Sequence, residues 1–544
     1  MLWLFTRRAL LLASLALPTL TAAEPFNLSA RHVKAAHRPR RVIVQLDAAD
    51  HRRINLPPAE WLKYIFTFPD EPGSQIDSIV FDIGLDNDMA VYPSKFLPPT
   101  HDRWIRAWQS HGFEWLSALI KECRKRNIEV IWNHRFSEVD LDPDANKEMT
   151  TLHPIKAAHP DWLIRCWWWQ GLWNAAAPGL REFKVAQLRD LAENYDLDGI
   201  QIDFARHTPV LPPGHQWEQR DGVTELLRMT RKMLLDVENK RNKPILLGAK
   251  VPRTLEGCKI DGFDVAVWAK ERLVDQLTLG SRSLDVDIEG FRKAVGPAIR
   301  LHPCYDDHHA TDGYRFAPIE YLRGVAATWW KQGADAVTTF NFAVARPARA
   351  AEVKDALAPP THQLAYHQIG DPKTMANLDR VYVVERRGGY PWAEGYFNRN
   401  DTAQLPELLS NAGKPSRFVL RIAEPAPKAQ LRLILFNALP SDTFDVTLNG
   451  TILTSPNTDP TWKDPQINSP APQPSSGGNG RYEINPAQKL LALTYTLDPA
   501  TLRTGLNKVE IKIAHRGSYP INAQVQVEKI ELATTYSRST HDPH

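Results

Sequence analysis

Hydrophobic and polar positions follow two regimes along the chain. Up to Phe342, short β-branched runs are separated by longer stretches with helical apolar spacing; from Pro415 onward the runs are short, alternating and joined without helical stretches. The first regime predicts eight strands: Arg41–Asp47, Ile76–Gly84, Ile128–Arg135, Asp198–Asp203, Lys243–Arg253, Arg272–Gly280, Ala298–His309 and Ala334–Phe342. Helical spacing is predicted over Trp104–Arg126, Leu180–Tyr195 and Ile319–Gly333, and a long excursion, His153–Leu180, follows the third strand. Eight strands in βα alternation predict an α/β fold, a (β/α)8 TIM barrel, with the excursion at its working face.

The second regime, Ser416–Ile422, Leu431–Phe436, Phe444–Leu448, Leu493–Leu497 and Lys508–Ile513 with the hairpin dipeptide Asn449-Gly450, predicts an all-β antiparallel sandwich domain. The Pro/Ser/Gly-rich stretch 465–480 reads as a loop within it. The expected organisation is therefore a leader at 1–23, the barrel at 24–358, a boundary region at 359–414 and the sandwich at 415–535.

Composition adds the compartment and removes some partners. Arg7 and Arg8, an apolar run from Ala9 to Leu20 and the small residues Thr21-Ala22-Ala23 predict a secretory signal peptide, too short for a membrane span. The protein is thus expected to be exported, periplasmic or extracellular. Loss of the two leader arginines takes the formal charge of +3 down to +1, a balance that gives no field for nucleic acid. The four cysteines lie far apart and form no CxxC pair, which leaves one or two disulfides or four buried thiols. Seventeen tryptophans supply surfaces that stack on sugar rings or fill a core.

The most informative stretch is Asp198-Gly-Ile-Gln-Ile-Asp203-Phe-Ala-Arg206-His207. Gly199 interrupts the preceding helix, Ile200 and Ile202 alternate with Gln201 and Asp203, and the strand ends in a carboxylate. A parallel strand that delivers Asp, Arg and His at its carboxyl end places them where α/β barrels carry their chemistry. The same residues also fit a structural ion pair between Asp203 and Arg206. Asp198 precedes the strand, at the opposite rim, where a turn or ion-pair role is expected.

The succession Trp132-Asn-His-Arg135, His159-Pro-Asp-Trp162, Trp173-Asn-Ala-Ala-Ala-Pro178, the stretch 198–207, Gly262-Phe-Asp-Val265 and Gly333-Ala-Asp-Ala-Val-Thr-Thr-Phe-Asn-Phe342 resembles the family-10-like glycosyl hydrolases of bacteria. The similarity runs through residues 40–345, and the fourth-strand motif is its most specific part. It implies a (β/α)8 barrel, often backed by a β-sandwich, acting on polysaccharide. The motif is also similar to the fourth-strand signature of the α-amylase clan, but Gln201 stands in place of that clan's arginine. Strand five ends Lys250-Val-Pro-Arg253 where that clan has its glutamate acid, so its machinery is not implied.

Glycoside cleavage needs two carboxyl groups, about 5 Å apart for retention or roughly 6.5–9.5 Å for inversion. Asp203 is the first choice. Asp306, closing strand seven, is the preferred partner, with Asp285 and Asp287 as alternatives. Asp47, Asp82, His134, Arg135, Arg206, His207, Arg253, Tyr305 and Asn341 predict a polar ring for substrate hydroxyls, with Trp132 or Trp167 to Trp169 as a stacking platform. Asp82 and Asn341 equally suit backbone bonds between strands, and the Trp167 to Trp169 run suits packing of the excursion. His308 and His309 lie beside Asp306 and Asp307, but spacing fixes no third ligand, so neither metal nor cofactor is expected. The reading is an exported glycoside hydrolase with a carbohydrate substrate; from a different class stands a catalytically silent carbohydrate-binding barrel.

Overall fold

The computed structural model describes residues 24–47, 57–82, 88–100, 102–137, 152–166, 168, 170–280, 283–306, 314, 317–340, 360–386, 403–464, 489–517 and 523–536. For Asp47, Asp82, Arg103, Asp306 and residues 360–362 the description is of the backbone alone. The leader, Trp167, Trp169, His308, His309, Asn341 and the loop 465–480 lie outside the described residues.

Eight parallel strands close the barrel: β1 Val42–Asp47, β2 Ile76–Asp82, β3 Glu129–Arg135, β4 Gly199–Asp203, β5 Leu246–Val251, β6 Gln276–Leu279, β7 Arg300–Asp306 and β8 Val337–Phe340. Each pairs with its neighbours in sequence, and β8 closes on β1 with Gln45 opposite Phe340. Because helices cover the outside, both faces of every strand are buried, and the two-residue period sorts side chains between the barrel interior and the helical layer. Ile43 of β1, Val80 of β2, Ile131 of β3 and Ala336, just before β8, form an apolar cluster, the floor of the interior. Above it Gln201 of β4 donates to Asn133 Oδ1 of β3 at 2.8 Å and accepts from Thr278 Oγ1 of β6 at 2.6 Å. The second bond passes over β5, where Gly248 leaves the space; a Cβ there would lie 3.0 Å from Gln276 Nε2. These bonds fix the parity: Gln201 and Asp203 face inward, Ile200 and Ile202 outward.

The helical layer is built from α1 Ala30–Ala36, α2 Pro58–Ile65, α3 Arg103–Ser110, α4 Trp115–Lys125, α5 Pro178–Asn194, α6 Asp221–Arg241, α7 Leu255–Asp261, α8 Val265–Lys270, α9 Ile288–Val295, α10 Ile319–Lys331 and α11 Pro360–Gln368. The single helix expected over 104–126 is two, α3 and α4. Gly112 takes φ +73° between them, and the Glu114 carboxylate accepts from the N–H groups of Leu116 and Ser117 to cap the second.

The sandwich has two antiparallel sheets, as expected. One contains β9 Arg380–Val383, β10 Glu407–Leu408, β12 Lys428–Phe436, β15 Asn457–Asp459, β16 Leu490–Leu497 and β18 Gln526–Thr535; the other contains β11 Ser416–Ile422, β13 Thr443–Leu448, β14 Thr451–Leu453 and β17 Gly505–His515. The stretch read as a boundary is built in: α11 and β9 come from it, and β9 pairs with β18. The structure shows no disulfide among the described residues, and Cys123, Cys258 and Cys304 are buried.

Candidate active site

Four aspartates end barrel strands at the carboxyl rim: Asp47 on β1, Asp82 on β2, Asp203 on β4 and Asp306 on β7. Asp47 and Asp82 are partners in register, and Asp306 stands opposite Phe340 of β8. The side chain described in full among them is that of Asp203, which is 1% exposed. Its Oδ1 accepts from the Ala205 N–H at 3.0 Å, a turn that ends the strand. Its Oδ2 has no hydrogen-bond partner among the described residues and lies 3.7 Å from Lys250 Nζ of β5. Lys250, in register with Asp203, donates to Gln45 Oε1 of β1 at 3.0 Å and sits 4.4 Å over the Phe340 ring of β8. One ammonium thus ties β5 to β1 and β8 across the interior and offsets a charge that burial would otherwise leave uncompensated.

Two more cations lie at the same rim. Arg135 of β3 is in register with Asp203 and shares the inward set with Ile131 and Asn133. Arg206 follows β4 with its Cζ 5.6 Å over Phe340, and its buried Nε and Nη1 have no hydrogen-bond partner among the described residues. His207 is buried and turned to the loop after β3, with Nδ1 3.2 Å from Ser137 O.

Other expected members of the ring lie elsewhere. Trp132 faces outward into the core, edge-on to Tyr92 at 6.1 Å and tilted against Trp115 at 6.2 Å, so it is no stacking platform. His134 has the same parity. It lies beside the buried ion pair of Asp88 with Lys184, whose Asp88 Oδ2 also accepts from Trp173 Nε1 at 2.7 Å. Burial and the Lys184 ammonium push the His134 imidazole down to about 3, against the pull of Asp88, so it is neutral. Burial would raise Asp88, but Lys184, His134 and His153 draw it down to about 2. Tyr305 also faces the helical layer, donating to Tyr314 O at 3.3 Å. Position at a strand end alone suggests the ring for His134 and Tyr305 and the platform for Trp132; the alternation along the strand puts all three on its other side.

The alternative carboxylates have structural posts. Asp287 caps α9, its Oδ1 accepting from the Gly290 N–H at 3.1 Å. Asp285 stands at the joint with the sandwich, 3.7 Å from Arg421 of β11. Arg253 reaches the same joint, donating to Asp285 O at 2.8 Å. Asp198, as expected, serves the opposite rim: it accepts from the Val130 N–H at 2.9 Å and pairs with Arg124 at 2.5 Å. Trp162 of the His-Pro-Asp-Trp motif is packed between His159, stacked at 3.8 Å, and Gly179, where a Cβ would lie 2.8 Å from Trp162 Cζ2.

The glycosyl hydrolase-like 10 family matches residues 70–216, a segment that holds β2 to β4 and Asp203. Over these residues the chain is similar to the family-10-like glycosyl hydrolases. The resemblance read from its motifs is borne out there, and its barrel and sandwich have the architecture the resemblance implied. Glycosyl hydrolase YngK of Bacillus subtilis (strain 168) is 26% identical over 142 residues, which are 26% of this chain and 27% of that protein. The match therefore spans about a quarter of the relative's length. Solved structures with a similar course include alpha-L-fucosidase isoenzyme 2 from Paenibacillus thiaminolyticus (TM-score 0.39, 14% identity, 63% of this chain and 51% of that chain). The glycoside hydrolase domain of PgaB (BpsB) from Bordetella bronchiseptica is another (TM-score 0.37, 14% identity, 59% of this chain and 99% of that chain). At these scores neither carries an argument about substrate or mechanism.

Proposed function

We propose that the protein is an exported glycoside hydrolase that cleaves glycosidic bonds of a polysaccharide or oligosaccharide, with Asp203 as nucleophile or base. The observation that supports this is the setting of Asp203: a buried carboxylate at the carboxyl end of β4, with Oδ2 left without a hydrogen-bond partner among the described residues and the Lys250 ammonium 3.7 Å away. An ionised Asp203 would attack the anomeric carbon, or take the proton of a water that does. A second carboxyl group, for which Asp306 is preferred by its place at the same rim, would give its proton to the departing oxygen. Arg135 and Arg206 would bind and orient the sugar. Export is proposed on Arg7, Arg8 and the apolar run from Ala9 to Leu20.

The cations at the rim of Asp203, Lys250, Arg135 and Arg206, favour a second reading, a barrel that binds glycan without cleaving it. One experiment separates the two. Purified wild type and Asp203→Asn are incubated with neutral and anionic polysaccharides, and both released reducing ends and retained glycan are measured. Cleavage by the wild type should fall roughly 10²–10⁴-fold in the variant, the usual worth of a positioned acid or base. An unchanged rate removes Asp203 from the mechanism. A wild type that retains glycan but releases no reducing ends selects the binding reading.

A further inference from the structure

Glu385 carries the sandwich into the rim of the barrel. It continues the path of β9, where the Val384 N–H donates to Ile530 O of β18 at 3.0 Å, and its side chain is 2% exposed. A single oxygen, Oε2, serves two barrel loops. It accepts from the Asp285 N–H after β6 at 3.0 Å, and it stands 3.3 Å from Arg253 Nη1 after β5. The loops are tied to each other as well, through Arg253 Nη1 to Asp285 O at 2.8 Å and the Asp287 N–H to Arg253 O at 3.1 Å. Arg421 of β11, 3.7 Å from Asp285, reaches the same loop from the other sheet. The loop after β7 has its own anchor: Tyr314 is buried beneath Lys529 of β18, whose Nζ is 4.5 Å from the ring centroid. Three consecutive loops of the working face therefore end on the sandwich. A carboxylate buried this deeply is favourable only with its bonds made, so the loops and the sandwich order one another.

We propose that Glu385 is a positioning residue for the candidate site: the sandwich supplies the carboxylate that fixes the loops after β5 and β6, and with them the Arg253 guanidinium, at the rim that carries Asp203. The sandwich is on this account a working part of the barrel's rim. Only the effect on turnover rests on the glycosidase reading; the clamp itself does not.

Full-length wild type, Glu385→Ala and Glu385→Gln are compared by amide hydrogen exchange and by glycan cleavage. Glu385→Ala should raise exchange in segments 253–257 and 283–288 roughly ten- to hundredfold, the loss of a buried charged hydrogen bond, while β11 and β17 stay unchanged. Glu385→Gln keeps an acceptor for the Asp285 N–H, so it should restore the second segment and leave the first raised. On a cleaved glycan, kcat should fall by as much as about 10²-fold in the alanine variant with KM little moved, and recover in part in the glutamine variant. Unchanged exchange in both segments overturns the proposal, as does an equal rise across β11 and β17, which would make Glu385 a general prop of the fold. A wild type that cleaves nothing, with the localised exchange response intact, removes the glycosidase reading and supports the clamp.

Discussion

Asp203 owes its place to a lysine on the next strand. Both side chains are fully buried, and Lys250 also holds Gln45 and lies over Phe340. Removing one member of such a pair leaves the other charge without compensation, which costs about 3–5 kcal/mol. Lys250→Met should therefore lower the unfolding free energy in urea at neutral pH by about 3 kcal/mol, and adding Asp203→Asn should recover part of it. A loss no larger than that of a surface substitution, about 0.5 kcal/mol, would show that the pair contributes little. Much of this rim was legible in the sequence, since a carboxylate closing a parallel strand needs only the pattern around Gly199 and Asp203. The partner was harder to read: Lys250 is visible at the end of strand five, but what it touches depends on the register of β5 against β4 and on the reach across to β1. The outward side of Trp132, His134 and Tyr305 is hidden in the sequence for a related reason. With both strand faces buried, hydrophobic alternation does not say which face is the interior.

The elements hold the N-terminal end of the barrel with a different charge cluster. Helix α1 has seven residues, too few to persist without docking. His32 docks it, with Nδ1 2.6 Å from Glu238 Oε2 of α6 and Nε2 3.0 Å from Asp275 Oδ1, which pairs through Oδ2 with Arg231 at 2.9 Å. Burial alone would lower the His32 pKa, but the hydrogen bonds to Asp275 and Glu238 outweigh it and raise the group to about 9. A raised histidine contributes fully below its ordinary 6.5, and the contribution is lost as pH climbs through about 9. Asp275 has the opposite sign: burial pushes it up, Arg231 and His32 hold it at about 2, and its contribution is present above 3.8 and lost as pH falls through about 2. Unfolding free energy should thus drop by on the order of 3 kcal/mol between about pH 6 and about pH 10, and His32→Gln should flatten that slope. A slope shared by wild type and variant would place the titration elsewhere. Charge pairing also hid an element from the sequence. Strand β18 is central to its sheet, yet Glu528, Lys529 and Glu531 lie buried in it. Arg386 and Asp464 pair with the first two from other segments, so the run Gln526–Thr535 reads as polar surface until those partners are placed.

At the scale of the whole molecule, the barrel and the sandwich meet backbone to backbone. Helix α10 lies so close to β9 that a Cβ on Gly324 would fall 2.2 Å from Val381 O. Around this contact Trp330 Nε1 donates to Ile369 O at 2.7 Å and Arg323 Nε to Gln368 Oε1 at 2.9 Å, which ties α10 to the segment leading into the sandwich. Two effects compete in Gly324→Ala. Helix propensity alone would favour alanine by about 1 kcal/mol. The overlap is with a strand carbonyl that cannot rotate away as a side chain would, so α10 and β9 must separate, and forced overpacking of this kind costs about 1–3 kcal/mol or more. The second effect should win, giving a lower thermal midpoint than the wild type and faster proteolysis at the joint. Because β9 runs on into Glu385, the separation should also loosen the loops after β5 and β6, with raised amide exchange there and no matching rise in β11 and β17. A stabilised Gly324→Ala protein would mean that the two layers stand further apart than this contact requires. Unfolding of the wild type in two separate transitions would mean that the joint does not couple them.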